Sequence, residues 1–197
     1  MRLYLLRHGE TDWNVEHRLQ GSRNTFLNHH GISQAESWRP YFDRIRFAAI
    51  YSSSLERTLH TAALAIRRPA CIIAGFDERS FGDWEGSRWD DLTVSIPEFD
   101  AKWIDNSFSP PNGESRFALF DRVRSALKQT VLEHAASDEI LIVGHGGSGH
   151  AILCSLLNYP IEARSTLPEL DNGSLTIVEQ RSKEWHLVGQ LPAEVPR

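Results

Sequence analysis

Short apolar runs alternate with stretches of helical spacing along most of this chain, and that alternation restricts the fold more than any other feature. "RLYLL" (2–6) runs into Arg7-His8-Gly9 and reads as a buried strand closed by a turn. From Gly31, "ISQAESWRPYFDRI" places Ile32, Ala35, Trp38, Phe42 and Ile45 at helical spacing, with Pro40 predicting a kink or restart. "FAAIYSS" (47–53) is a second strand. "LERTLHTAALAI" (55–66) follows as a helix with an apolar stripe of Leu55, Leu59, Ala62 and Ile66, capped by Ser53 or Ser54. "ACIIAG" (70–75) is a third strand. "ESRFALFDRVRSALKQTVLEH" (114–134) is the strongest helix, with Phe117, Phe120, Val123, Leu127 and Val131 on one side. "EILIVGHGG" (139–147) reads as a fourth strand and glycine turn, and "HAILCSLL" (150–157) as a helix. "SLTIVEQ" (174–180) and "EWHLVGQ" (184–190) close the chain as a pair of strands. Strands alternating with helices imply an α/β fold, a largely parallel sheet with helices on both faces.

Segment 76–113 departs from the pattern. It is rich in glycine and proline and holds Trp84, Trp89 and Trp103, so short helices and loops lying over something are expected, with 87–113 a lid or specificity segment. No repeat or linker breaks the 197 residues, so 1–197 is expected to be one domain.

No apolar run approaches the ~20 residues that cross a bilayer, and Arg2 and Arg7 interrupt any secretory pattern. Cys71 and Cys154, the two cysteines, stand in apolar sequence settings, so no disulfide framework is expected and a reducing, cytoplasmic location fits. The formal net charge of −5 argues against partners such as nucleic acid or an anionic membrane. Any anion must be held by a few placed residues.

In sheets of this kind ligands bind at the carboxyl ends of the strands. Three strands end in unusual polar chemistry: Arg7-His8-Gly9, Ser52-Ser53-Ser54 with Arg57 one turn on, and Gly144-His145-Gly146-Gly147. Arginine is a permanently charged planar fork suited to phosphate oxygens. A neutral histidine beside two such forks is a competent nucleophile, giving a phosphohistidine that divides one hard displacement into two easier ones. Gly9 and Gly146 would let backbone approach a ligand. A proton donor for the leaving alkoxide remains to be found, and spacing leaves Glu10, Asp77, Glu78, Asp83 and Glu85 all open.

"RLYLLRHGETDWN" resembles the signature of the histidine phosphatase superfamily, which includes phosphoglycerate mutases, fructose-2,6-bisphosphatases and alpha-ribazole phosphatases. "QGSRNTFLNHHGISQA" (20–35), "YSSSLERTLHTA" (51–62), "DERSFGDWEG" (77–86) and "GHGG" (144–147) follow in that family's order. "PNGES" (111–115) and "NGSLTI" (172–177) are similar to its remaining punctuation, so the resemblance spans nearly the whole chain. It implies a phosphoglycerate mutase-like, three-layer α/β/α sandwich with a mostly parallel central sheet. It implies His8 as the phosphorylated nucleophile, Glu78 as proton donor, and Arg7, Arg57 and His145 lining the phosphate pocket. Asn14 would add a hydrogen bond, Gln20, Gly21 and Ser22 would lie near the substrate, and Gly146 would line the phosphate site. It implies a small phosphorylated substrate and no metal or other cofactor.

The sequence also departs from the family. Ser54 and Asn24 stand where aspartates are common and His60 where a glutamine is, while Ser148-Gly149-His150 replace the usual bulky aliphatic and arginine after "HGG". The reading that results is a metal-independent phosphomonoesterase. Its rivals are a phosphoglycerate mutase, which would carry a longer insertion than Gly86 to Pro111, and a catalytically silent module binding phosphorylated ligands or a partner. An exposed aromatic in the closing strands would support a homodimer.

Overall fold

A computed structural model describes residues 1–131 and 134–193. The apolar runs become strands because both of their faces find apolar cover. They are β1 (Arg2–Arg7), β2 (Ala49–Ser52), β3 (Cys71–Ile72), β4 (Glu139–Gly144), β5 (Leu175–Arg181) and β6 (Glu184–Leu191), in the spatial order β3-β2-β4-β1-β5-β6. The first four run parallel, while β5 lies antiparallel to β1 and β6 antiparallel to β5. The sheet is therefore mostly parallel with an antiparallel edge.

Helices complete two outer layers: α1 (Asp12–Val15), α2 (His29–Ser37), α3 (Arg39–Phe42), α4 (Glu56–Ile66), α5 (Trp89–Ser95), α6 (Phe99–Ile104), α7 (Arg116–Thr130) and α8 (Gly146–Leu156). Strand side chains alternate between the layers. Leu3, Leu5, Ile140 and Ile142 pack under α7 and α8 against Val123, Leu127, Ile152 and Leu153. Tyr4, Leu6, Leu141 and Val143 pack on the other face against Trp38, Phe42, Ala62 and Ile66. Each fully buried aliphatic or aromatic side chain contributes roughly 1.5–3 kcal/mol relative to exposure. The three-layer α/β/α arrangement expected from the sequence is present.

Several local expectations change. The chain restarts as expected at Pro40, which lies in the first turn of α3 just after α2 ends. Helix α7 is shorter than 114–134 because the Ser115 hydroxyl accepts from the Ala118 amide and fixes its start. Its buried stripe is Leu119, Val123, Ala126 and Leu127, and Phe117 is exposed. Neither Ser53 nor Ser54 caps α4; Leu55 occupies that position without a side-chain bond. The strand expected at 70–75 has only Cys71 and Ile72, followed by a 3-10 turn at Ala74–Phe76. Cys71 is exposed despite its apolar neighbours, Cys154 is buried, and neither is paired. Helix α8 begins at Gly146, four residues earlier than expected, and so its amino end faces the carboxyl edge of the sheet.

In the segment 87–113, α5 and α6 gather their own aromatic cluster, in which Trp84, Leu92 and Phe99 are buried and the Trp89 and Trp103 rings meet edge to face at 4.6 Å. Trp185 of β6 is half-buried against the α7–α8 face rather than offered to solvent. Among the described residues no helix is long and apolar enough to cross a membrane.

Candidate active site

Strand register brings the two histidines together. Parallel β1 and β4 pair Arg7 with Gly144, so the next residue of each strand, His8 and His145, leaves the sheet at the same rim. Their rings lie 5.2 Å apart at 61° and both are buried. Arg57 reaches the rim from the first turn of α4, which follows β2 on the far side of β4. Arg7, last in β1, points to the α7–α8 side of the sheet like Leu3 and Leu5, and its guanidinium approaches Gly146.

The backbone of His8 is pinned from both sides. Its N–H donates to the Gly144 carbonyl at 2.9 Å, and its own carbonyl accepts from the Gly173 amide at 3.0 Å and Asn172 Nδ2 at 3.2 Å. Its ring Nδ1 lies 2.7 Å from the Gly9 carbonyl, which accepts only, so Nδ1 carries the proton and Nε2 keeps its lone pair. Burial, followed by Arg57 and Arg7, holds the His8 pKa well below the usual 6.5. The imidazole is therefore neutral at physiological pH. His145 is depressed for the same reasons, burial first, then Arg57 and His8. Its Nε2 meets the Ser53 hydroxyl at 2.7 Å, while its Nδ1 is buried and has no partner among the described residues.

The arginines are also held by backbone and left with spare donors. Arg57 donates from its two terminal nitrogens to the carbonyls of Arg23 and Gly21, each at 2.8 Å, and its buried Nε has no partner. Burial lowers its pKa to about 10, still fully charged in the cell. Arg7 donates to the Leu170 carbonyl, and its Nε is likewise buried and unpartnered. Among the described residues neither forms an ion pair with a carboxylate, so a buried Arg57, a half-buried Arg7 and two neutral imidazoles share a rim with unused N–H groups. A tetrahedral dianion matches that set in charge and in donor number.

Of the five carboxylates left open by the sequence, one lies at the amino end of α8. Glu78 Oε2 accepts from the Gly147 amide at 2.9 Å, and Oε1 from the amides of Ser148 at 3.0 Å and Arg79 at 2.8 Å. The others are engaged elsewhere. Glu85 is bound by Ser22, the Phe81 amide and Arg23; Asp77 by the Ser54 amide and hydroxyl; Asp83 by Asn112; Glu10 by Asn28.

The remaining sequence candidates divide. Asn14 completes a capping box with Thr11, and its Oδ1 also accepts from Asn172 at 3.2 Å, which ties it to the His8 backbone. Gln20 Oε1 accepts from Thr25 at 2.6 Å. Gly21 holds Arg57 through its carbonyl, and Ser22 is exposed with its amide and hydroxyl on Glu85. Gly9 makes its close approach to Gly31, where an added Cβ would lie 2.3 Å from the Gly31 carbonyl oxygen, rather than to any ligand space. Sequence reading placed Ser53 at the rim without a role beyond a helix cap, and it missed Thr61 and Asn172. Thr61 Oγ1 accepts from the Gly9 amide at 3.1 Å and donates to the Arg57 carbonyl, joining the two halves of the rim. For Ser53, the available signal was its place one residue beyond β2. Among the described residues no group of three or more His, Cys, Asp or Glu is arranged to hold a metal ion.

The chain is similar to known phosphatases over nearly its whole length. The chain is 32% identical over 186 residues to the uncharacterized phosphatase PhoE of Bacillus subtilis, covering 93% of this chain and 90% of that protein. It is 30% identical over 191 residues to the metal-independent phosphoserine phosphatase of Arabidopsis thaliana, covering 93% and 78%. The crystal structure of the alpha-ribazole phosphatase from Shigella flexneri superposes with a TM-score of 0.87 at 31% identity, over 100% of this chain and 99% of that one. Residues 3–190 match the family pattern over nearly their whole length, and the chain belongs to the histidine phosphatase superfamily (branch 1).

Proposed function

We propose that this protein is a metal-independent phosphomonoesterase that hydrolyses a small phosphorylated metabolite through a phosphohistidine on His8. The observation that carries the reading is the tautomer of His8: Nδ1–H is committed to the Gly9 carbonyl, so a neutral Nε2 lone pair stands beside the Arg7 and Arg57 cations.

In this reading Arg7, Arg57 and His145 grip the phosphoryl oxygens, and the Asn14 amide nitrogen adds a donor. Ser53 donates to His145 Nε2, so Nδ1–H, the orphaned position, donates to the phosphoryl group. His8 Nε2 attacks phosphorus in line as the bond to the ester oxygen breaks. Positioning and charge stabilisation supply most of the rate, since the transition state is loose. Glu78 delivers a proton to the departing alkoxide. Its Oε2, which accepts one backbone bond against two at Oε1, is the oxygen with room for that proton. Water then attacks the phosphohistidine, loses a proton to the Glu78 carboxylate, and inorganic phosphate leaves with the His8 ring restored. The unpaired state of both cysteines is compatible with work in the cytoplasm.

The test is rapid quench into alkaline detergent with a labelled phosphate ester, followed by acid and alkali treatment of the denatured protein. An acid-labile, alkali-stable phosphoenzyme is expected in the wild type and absent from His8→Ala. No phosphoenzyme and no hydrolysis of any ester would leave a binding module, and interconversion of 3- and 2-phosphoglycerate without phosphate release would make it a mutase.

A further inference from the structure

Glu78 has a second neighbourhood. On one side its charge supports Arg7 and Arg57; on the other it supports Arg79, and with Gly147 it borders a cavity of about 280 Å³. That volume is just below the range of roughly 300–1,000 Å³ for drug-sized ligand sites, room for a small leaving group. Three arginines line it, Arg79, Arg116 and Arg164, together with the rings of Phe81 and Trp103.

Stability alone does not account for this group. Arg79 and Arg116 are buried, yet among the described residues none of the three has a carboxylate within ion-pair distance. The nearby Glu114 pairs instead with Arg122 at 2.8 Å. Burial, and for Arg116 the neighbouring Arg164 and Arg79, lower Arg116 to about 9 and Arg79 to about 10. Arg116 also sits in the first turn of α7, where the helix dipole disfavours a cation. Buried charges without partners are costly, and a site that keeps three of one sign is complementary to an anion.

The guanidiniums are aimed, not merely accommodated. Arg79 donates Nε to the Glu114 carbonyl at 2.7 Å and Nη2 to the Phe108 carbonyl at 3.0 Å, which leaves its buried Nη1 without a partner. Arg116 donates to the Trp103 carbonyl and lies over that ring at 4.9 Å, and Arg164 donates to Asn106 Oδ1 at 2.9 Å. Trp103, Asn106 and Phe108 all belong to the 87–113 segment, so that segment orients all three cations. His150, singled out in the sequence, lies with Nδ1 3.0 Å from the Gly146 carbonyl and Nε2 3.2 Å from the Pro168 carbonyl, one of which its neutral ring can satisfy, and stands as a wall of the cavity.

We propose that this cavity receives the leaving group of the phosphomonoester, and that the leaving group carries a second anion, a carboxylate or a second phosphate, held by Arg79, Arg116 and Arg164. The proposal rests on the phosphomonoesterase reading, with Glu78 placed between the two anions where the bond breaks.

Two matched pairs test it: 3-phosphoglycerate against glycerol 3-phosphate, and 1,3-propanediol bisphosphate against its monophosphate, with nitrophenyl phosphate as the reference for turnover. The wild type is expected to favour the doubly anionic member of one pair by about 10- to 100-fold in kcat/KM, as charge-assisted hydrogen bonds predict. The first pair identifies a carboxylate and the second a phosphate. In Arg164→Gln, and in Arg116→Gln where it folds, that ratio is expected to fall about tenfold, through KM more than kcat. Equal rates within both pairs, or a preference that survives both substitutions, would overturn the second-anion site while leaving a phosphatase. Absence of turnover with nitrophenyl phosphate and with every other ester would instead overturn the underlying reading, and the proposal with it.

Discussion

The Ser53 hydroxyl lies 2.7 Å from His145 Nε2, both side chains fully buried, one residue beyond the carboxyl ends of neighbouring strands β2 and β4. Ser53 is held in turn by Thr58 Oγ1 at 2.8 Å and the Leu55 amide at 3.2 Å. The imidazole thus takes its orientation from α4's first turn, the element that also delivers Arg57. Ser53→Ala leaves both nitrogens of a buried ring unpartnered, a cost on the order of 1–3 kcal/mol. It is expected to lower kcat/KM for nitrophenyl phosphate by about 10- to 100-fold, with a correspondingly lower thermal midpoint. Wild-type kinetics in this variant would remove His145 from the phosphoryl grip.

Glu78 is placed by backbone amides, and one glycine makes the placement possible. A Cβ on Gly147 would come within 2.4 Å of Glu78 Oε1. Gly147→Ala is therefore expected to displace the carboxylate while the rest of α8 folds, mimicking loss of the acid. Glu78→Gln should reduce kcat for alkyl phosphates by about 10²–10⁴-fold, the range for a general acid. Nitrophenyl phosphate, whose leaving group needs no proton, should lose far less in both variants. Equal losses for the two ester types would assign Glu78 a role other than proton donor.

The sheet and its rim were legible because they rest on short-range pattern. Apolar runs such as "RLYLL" and "EILIVG" can be satisfied only by cover on both faces, and their polar ends mark the ligand edge. What residue spacing hid was the choice among five carboxylates, which only the family resemblance had placed on Glu78. That choice depends on α8 beginning at Gly146, whose amino end has no periodic signal in a run of glycines. Ser53 was hidden for a related reason: a serine after a strand ordinarily reads as a cap, and only the packing of β2 beside β4 turns it toward a histidine. The arginine-lined cavity draws Arg79, Arg116 and Arg164 from distant parts of the chain, and charge alone does not distinguish them from surface arginines.

Gly9 and Gly31 bring the loop after β1 against α2 at a spacing no side chain fits. An added Cβ on Gly31 would lie 2.1 Å from the Glu10 carbonyl oxygen. Gly31→Ala is thus expected to cost about 1–3 kcal/mol by overpacking. Because the displaced loop carries His8, kcat should fall as well, although Gly31 contributes no group to the rim. Denaturant midpoints and turnover measured on the same preparation check both effects. Loss of stability with full activity would show that the His8 loop is positioned independently of α2.

The depressed histidines set the acid limit of the fold. In the unfolded chain His8 and His145 bind protons as pH falls through about 6.5, while in the folded protein burial and the two arginines hold both values well below that. Between the folded values and 6.5 the unfolded state therefore carries more protons, and stability rises with pH. Their contribution is fully present above about 6.5 and is lost progressively as pH falls below it, at up to about 1.4 kcal/mol per pH unit for each ring. Urea unfolding at intervals from pH 7.5 to about 5 should show this slope, and His8→Gln should reduce it by about one proton. Phosphate, by binding the folded state, should raise stability across the same range. A stability that stays level through this window, or a slope unaffected by His8→Gln, would mean that the ring is solvated rather than enclosed between the arginines.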